Sequence, residues 1–324
     1  MKLQQLRFLS AIAKHNLNIS AVAEKLYTSQ PGVSKQIKLL EEELGVQLFN
    51  RNGKHLTHVT PVGKRVIEKA DVILSEVANI KAIANETRDD NAGTLTLATT
   101  HTQARYVLPD VIKQFKQEFP EVRLNLIQGT PERISEMAVT GEADFAVATE
   151  AISTYSELVM MPAYRWNRCV VVPKGHELTF ARRISLSALA EYPIVTYVKG
   201  LTGRGNMDAA FANAELQPDL VFTATDADVI KTYVRSGLGI GIIARQAYEA
   251  EQDADLVAID IADLFDDSVT KIGFRRGTYM RKYMHRFLQL FANHFDYDMI
   301  DKAALCENMA AIDELFAGVE LPEK

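Results

Sequence analysis

Cysteine is almost missing from this 324-residue chain: only Cys169 and Cys306 occur, far apart. Two distant thiols exclude a disulfide scaffold and a multi-cysteine metal centre. No stretch approaches the roughly 18 consecutive apolar residues of a membrane span, so no membrane association is expected. The opening run, MKLQQLRFLSAIAKHN, mixes Lys2, Arg7 and Lys14 with apolar positions. It lacks the apolar block and small-residue cleavage site of a secretory signal, which predicts a cytoplasmic location. Enzyme motifs are missing too: there is no Gly-rich phosphate loop, no G-x-S-x-G turn and no His/Cys cluster. The histidines (His15, His55, His58, His101, His176, His285 and His294) include no i,i+4 pair able to grip a metal from one helix face. Neither catalysis nor a metal or cofactor is expected. Internal repeats and low-complexity tracts are also absent.

What is present is ordinary in bulk, with 47% hydrophobic and 24% charged residues, enough for two or more cores. The net charge of -6 is unevenly spread. Residues 1–88 carry 13 Lys+Arg against 8 Asp+Glu, and the remainder 23 against 34. A basic segment on an acidic body points to a polyanion met by the first part alone. A chance imbalance on a solvated surface is the plainer alternative.

Leu3, Leu6, Leu9, Ile12 and Ala13 fall at helical spacing. A second short helix follows, with Ser20 as its expected cap and Val22, Ala23 and Leu26 on its apolar face. Thr28-Ser29-Gln30-Pro31 then supplies capping side chains and a first-turn proline. The third helix runs to Leu44, with Val33, Ile37, Leu40 and Leu44 on one face and Gly45 as its stop. This is a helix-turn-helix layout. The opposite face carries Gln30, Ser34, Lys35 and Lys38. Gln30 suits an adenine edge, and Lys35 a guanine or a phosphate. Ser29 and Ser34 suit phosphates, and Thr28 is either a contact or a cap. Asn52-Gly53 between Phe49-Asn50-Arg51 and His55-Leu56-Thr57 signals a hairpin. This wing would bring Arg51 and Lys54 to the DNA backbone, although Arg51 could instead brace the wing and Lys54 could be a solvated charge.

Thr60-Pro61 opens a long helix in which Val66, Ala70, Ile73, Val77, Ile80 and Ala84 follow heptad spacing. Such a seam packs on a partner chain or on its own domain. One helix-turn-helix covers few bases, so paired half-sites favour the partner. Past the polar run Arg88–Gly93, strands expected at Thr94–Thr99, Val122–Ile127 and Ala143–Ala148 alternate with helices at Pro109–Phe119 and Pro131–Val139. A second such set extends through Gly239–Ile243, with a return strand at Lys271–Arg275 and a closing helix at Tyr279–Phe295. Alternation predicts α/β lobes with mostly parallel strands. Thr99-Thr100-His101-Thr102-Gln103 follows a strand and precedes a helix, a turn suited to an anion or carboxylate. Thr149 would face the same cleft and Thr202-Gly203-Arg204 could close over it. Each threonine taken alone could equally be a satisfied strand residue. His101 is expected to be structural, and Asp226 to cap the helix that follows it.

The run Ala21-Val22-Ala23-Glu24-Lys25-Leu26, then Ser29-Gln30-Pro31-Gly32-Val33-Ser34-Lys35-Gln36-Ile37, Leu40-Glu41, Leu44-Gly45, Leu48-Phe49, Arg51, Leu56-Thr57 and Thr60-Pro61-Val62-Gly63 resembles the LysR-type transcriptional regulators. Tyr27–Gly32, Ala98–Tyr106, Thr223–Tyr233, Lys271–Arg276 and the Leu-Pro-Glu-Lys end resemble the branch that governs sulfur uptake and cysteine biosynthesis genes. A related branch serves alternative sulfur sources such as sulfonates. Gly32 departs from the wider family, which more often has alanine there.

The resemblance implies a winged helix-turn-helix at 1–60, a linker and dimerisation helix at 61–92, and a two-lobe, periplasmic-binding-protein-like effector domain at 93–295. Lobe I would span about 93–163 and 270–295, lobe II about 164–269, with a tail at 296–324. DNA contacts would come from Thr28, Ser29, Gln30, Pro31, Ser34, Lys35, Arg51 and Lys54. Effector contacts would come from Thr100, Thr102, Gln103, Thr149 and Thr202, with Trp166 lining the site. It further implies N-acetylserine (or O-acetylserine) as inducer, sulfate or thiosulfate as opposing ligand, promoter DNA and RNA polymerase as partners, and a homotetramer.

Overall fold

The apolar spacing of the first 88 residues builds one small helical core. A computed structural model describes residues 1–53, 55–86, 91–149 and 155–324, the side chains of 85 and 86 excepted. The chain divides into two units, residues 1–88 and 89–324. In the first, α1 (Leu3–Lys14), α2 (Ile19–Lys25) and α3 (Gln30–Leu44) bury Leu9, Ile12, Val22, Val33, Ile37 and Leu40 together. The α2 cap is Asn18 rather than Ser20: its side chain accepts the Ala21 N–H. Ser29 caps α3 by accepting from Gly32, and Gly45 ends it in the left-handed region. Strands β1 (Phe49–Asn52) and β2 (His55–Val59) form the wing, with a register shift between Asn50 and Arg51.

Helix α4 (Pro61–Glu86) is about 39 Å long at ~1.5 Å per residue. Its seam divides. Ala70 is buried and Val66 half-buried against the core of its own unit, whereas Ile73, Ile80 and Ala84 stay exposed. Packing within the unit thus accounts for the first turns of the seam only.

The second unit contains two five-stranded sheets. One has the order β4-β3-β5-β12-β6, built from β3 (Gly93–Thr99), β4 (Val122–Gln128), β5 (Phe145–Ala148), β6 (Leu158–Trp166) and β12 (Ser268–Arg275). The other has the order β11-β7-β10-β8-β9, from β7 (Arg168–Pro173), β8 (Ile194–Tyr197), β9 (Leu220–Ala224), β10 (Ile240–Ala244) and β11 (Leu256–Asp260). Helices α5 (Leu108–Glu118), α6 (Pro131–Thr140) and α10 (Lys282–Phe291) accompany the first sheet. Helices α7 (Leu186–Ala190), α8 (Arg204–Asn213) and α9 (Ala227–Arg235) belong to the second.

The mostly parallel expectation is corrected. β3 runs parallel to β4 and β5, and β8 to β9 and β10, but β12 is antiparallel to β5 and β6, and β7 to β10 and β11. The chain crosses between lobes at Asn167 and returns at Ser268, so the strands beside each crossing run backwards. Neither β6 nor β11 is expected from pattern. β6 contains Pro162, which argues against a strand. It is accommodated at the sheet edge beside a register shift, where Thr270 pairs with Tyr164 and Lys271 with Pro162. The lobe I sheet therefore runs to Trp166 and resumes at Ser268, a few residues beyond the expected limits.

The segment 296–324 is not a separate tail. Helices α11 (Tyr297–Leu305) and α12 (Met309–Phe316) bury Ile300, Ala303, Ile312 and Phe316 in the lobe I core. The chain then adds a parallel bridge at Glu323 to Arg165 on β6. The apolar stripe of both helices drives this docking.

Two outcomes follow. A Cβ on Gly63 would lie 2.1 Å from the Leu48 carbonyl oxygen. A helical Gly→Ala change elsewhere stabilises by ~1 kcal/mol; here backbone must move, and Gly63→Ala is expected to cost about 1–3 kcal/mol. Urea unfolding followed by far-UV circular dichroism tests it, and an unchanged or higher midpoint would refute the close packing. His294 donates Nε2–H to the Pro162 carbonyl at 3.0 Å, and its Nδ1 is buried without a partner. Burial holds the imidazole below its usual value of 6.5, against the opposing effect of the Pro162 bond. The unfolded chain therefore binds the proton first: this contribution is intact above pH ~6.5 and is lost as pH falls through the lower folded value. His294→Gln should flatten the stability profile of the full chain across that window; an identical slope in both proteins would exclude His294 as its source.

Candidate functional site

Parallel strands leave their carboxyl ends, with unpaired backbone groups, along one edge of a sheet. β3 ends at Thr99 and β5 at Ala148, so Thr100–Gln103 and Thr149 emerge side by side. A helical segment starts at His101 and widens into a π-helical turn at Gln103–Val107 before α5. Its first N–H groups have no acceptor within the helix. π-turns of this sort occur often at functional sites.

The hydroxyl of Thr270 on β12 is the hub of the site and is fully buried. The Trp166 indole N–H reaches it at 3.0 Å, the Gln103 amide donates to it at 3.3 Å, and the Thr149 hydroxyl lies 3.2 Å away. Trp166 also lies 3.3 Å from the Thr149 hydroxyl, and the buried Tyr164 hydroxyl donates to the Gln103 carbonyl oxygen. From lobe II, the Thr202 hydroxyl meets that of Thr102 at 3.4 Å. Thr202 holds φ +48°, strained for a β-branched residue, and Gly203 follows it, packed closely against Arg168 and Ser268. Thr100 sits at the mouth of the turn, its carbonyl accepting the Ala104 N–H. Of the six residues expected as effector contacts, Gln103, Thr149 and Trp166 therefore meet at Thr270, Thr102 meets Thr202, and Thr100 opens the same turn without a side-chain bond to either group. The set offers hydroxyl, amide and indole groups. Burial raises the Tyr164 and Tyr197 hydroxyls well above their usual range, so both remain neutral.

The same segment also ties the lobes together. Arg105 pairs with Glu249 at 3.0 Å and Asp228 at 3.8 Å, and bonds Gln252 at 2.9 Å. Tyr106 donates to Asp228 at 2.8 Å. Behind them the buried Lys231 pairs with Asp253 at 2.8 Å. Burial alone would raise the Asp253 carboxyl, but Lys231, the Glu249 N–H and Arg235 together hold it below the usual carboxylate range. His101, Asp226 and Asp228 bring ligand atoms within 4.8 Å of one another. However, Arg105 and Lys231 already balance Asp228, and Asp226 is engaged as the α9 cap, accepting from Val229 at 2.9 Å.

In the first unit Thr28, Ser29, Gln30, Pro31 and Lys35 are exposed along the start of α3, and Ser34 is half-buried. The α3 cap belongs to Ser29, not Thr28, and this occupies the Ser29 oxygen at 3.2 Å from the Gly32 N–H. Arg51 braces the wing through Glu41 at 2.8 Å. Lys54 lies outside the described residues. Tyr27, to which the sequence assigns no contact of its own, is 98% exposed, at φ +49°, three residues before the recognition helix.

Residues 3–64 match the family described as bacterial regulatory helix-turn-helix protein, lysR family, and residues 88–296 match the LysR substrate binding domain. The chain belongs to the LysR family of transcriptional regulators. Its members are DNA-binding regulators rather than enzymes, with a helix-turn-helix unit followed by a two-lobed effector domain. It is 45% identical to the HTH-type transcriptional regulator CysB of Haemophilus influenzae over 324 residues, all of both chains. It is 48% identical to the regulator SsuR of Burkholderia cenocepacia, covering 91% of this chain and 96% of that one. The crystal structure of the cofactor-binding domain of the Cbl regulator aligns with TM-score 0.65 and 44% identity, over 67% of this chain and 95% of that domain. The sulfur-branch resemblance thus extends to CysB and Cbl alike. Among the described residues, no helix is long and apolar enough to cross a membrane.

Sequence reasoning misses Thr270, Tyr164 and the Arg105–Tyr106 latch. Thr270 is separated from Gln103 by 167 positions, and only the pairing of β12 with β5 and β6 brings it in. Thr270→Val would leave the Gln103 amide without its acceptor and Trp166 with only the longer bond to Thr149. An unmet buried donor costs about 1–3 kcal/mol. A lower thermal midpoint is expected, with a shifted emission from the single tryptophan; an unmoved spectrum would remove Thr270 as the hub.

Proposed function

We propose that this LysR-family regulator controls genes of sulfur assimilation and cysteine biosynthesis. On this reading N-acetylserine (or O-acetylserine) is its inducer and sulfate or thiosulfate an opposing ligand. The observation that carries the reading is the polar cluster at the carboxyl edge of the sheet, where Gln103, Thr149 and Trp166 meet at Thr270, Thr102 meets Thr202 of the other lobe, and Thr100 opens the same turn. Neutral donors beside free helix N–H groups suit a carboxylate or an oxyanion of this size. The similarity to CysB supports the gene set.

Gln30 and Lys35 would read base edges, while Thr28, Ser29, Pro31, Ser34, Arg51 and Lys54 would meet the backbone. The exposed outer turns of α4 favour a dimer on paired half-sites, and a homotetramer acting with RNA polymerase in the cytoplasm completes the reading. Ligand shifts the angle between lobes and so the spacing of the DNA-binding pairs. That requires it to bind one arrangement more tightly, on the order of 1–3 kcal/mol. A second reading, control of alternative sulfur-source genes such as those for sulfonates, is favoured by the similarity to the Cbl domain over 95% of its length.

Calorimetric titration of the full chain with N-acetylserine, sulfate and thiosulfate, on wild type and Thr100→Ala, tests the site. The variant should lose about tenfold in affinity, ~1.4 kcal/mol. No binding of any of the three by wild type would refute the proposed effectors, and unchanged affinity in the variant would refute the site.

A further inference from the structure

Glu41 lies on the recognition helix α3, with only 10% of its side chain exposed. Its Oε1 accepts the backbone N–H groups of Leu48 at 2.9 Å and Phe49 at 3.2 Å. Its Oε2 accepts from Arg51 Nη2 at 2.8 Å. Leu48 and Phe49 are fully buried and form the root of the wing; Arg51 lies on its first strand. One carboxylate therefore joins the helix bearing Gln30 and Lys35 to two points of the hairpin. A carboxylate presents two acceptor oxygens, whereas an amide presents one and turns a donor the other way. The wing's second root is held separately, with Thr60 Oγ1 donating to the Gln47 carbonyl at 2.8 Å and capping α4 through the Gly63 N–H.

The pairing shifts between Asn50 and Arg51, opposite the extra residue Thr57 on β2, and shifts of this kind re-aim nearby side chains. The Arg51 guanidinium points back to α3, with a third of the side chain still exposed. A guanidinium has five donors, and the Glu41 bond uses one nitrogen, leaving the remainder able to meet a phosphate. Because Glu41 already offsets its charge, what Arg51 adds on DNA is placement more than attraction.

We propose that Glu41 is a positioning residue for DNA recognition, holding Arg51 and the wing at a fixed distance from α3 so that backbone and base contacts fall in register. This rests on reading α3 and the wing as the DNA contacts. Loss of the carboxylate has two opposite consequences. Register is lost, which weakens binding to the correct sequence, while one negative charge disappears, which favours any polyanion.

The test uses the full-length protein with two duplexes: one selected by wild type from a randomised pool, and a scrambled version of it. Glu41→Gln should weaken binding to the selected duplex about tenfold, while the scrambled duplex binds as well as before or more tightly. Equal loss on both duplexes would mark a plain folding defect and overturn the proposal, as would an unchanged ratio. Arg51→Ala removes the guanidinium and leaves both backbone bonds of Glu41 in place. If Glu41 acts through Arg51, adding Glu41→Gln to that variant should change the ratio by less than about twofold; a further full loss would overturn the proposal. Arg51→Ala binding both duplexes like wild type would overturn the wing reading itself, and the proposal with it.

Discussion

The crossing between lobes governs the effector domain. The chain leaves lobe I after Trp166 and re-enters at Ser268, two residues that pair directly across the β6–β12 ladder. Asn167, at the crossing, donates to the carbonyls of Ala262 and Phe265 and to the Asp267 carboxylate, at 2.9–3.2 Å. Lobe II is thus an insertion whose neck holds this rung and this clamped amide, with the Arg168 guanidinium donating to the Ser268 hydroxyl at 3.1 Å beside them. The indole of Trp166 and the hydroxyl of Thr270 stand just beside that neck. Whatever occupies the polar cluster therefore sits where a small rotation is amplified into a large displacement of the far surfaces.

The second tie between the lobes sits at the far end of the π-turn. Thr100–Gln103 faces the cluster, and Arg105 and Tyr106, a few residues on, grip lobe II through Asp228, Glu249 and Gln252. One short segment belongs both to the cluster and to the lobe contact. Its ion pairs are partly exposed and individually weak, which suits contacts that must form and break. The Lys231–Asp253 pair behind them is buried, and it fixes the surface they grip.

Local chemistry was legible in the sequence, and distant pairing was not. The helix-turn-helix follows from Val33, Ile37 and Leu40 at helical spacing and Gly45 at the stop, all set within a few residues. The turns after β3 and β5 were legible because parallel strands always open their carboxyl ends the same way. Thr270 could not be found, since a threonine in a strand carries no mark until its partner strand is known. β6 was hidden by Pro162, which only an edge position with a shifted register tolerates. The wing illustrates the same limit: Asn52-Gly53 announces a hairpin, but Glu41, which holds it, lies on another element.

The final residues have an effect that reaches beyond lobe I packing. β6 lies at one end of its sheet and would otherwise present a row of open backbone groups. Pro322 and Lys324 take up the Arg165 N–H and carbonyl at 2.9 and 3.0 Å. Open edges recruit further strands, from other molecules as readily as from the same one. The chain thus blunts its own aggregation-prone margin with its last residues. Among the described residues, β4, with Leu126 and Ile127 uncovered, is left as the margin of that sheet still open to another molecule.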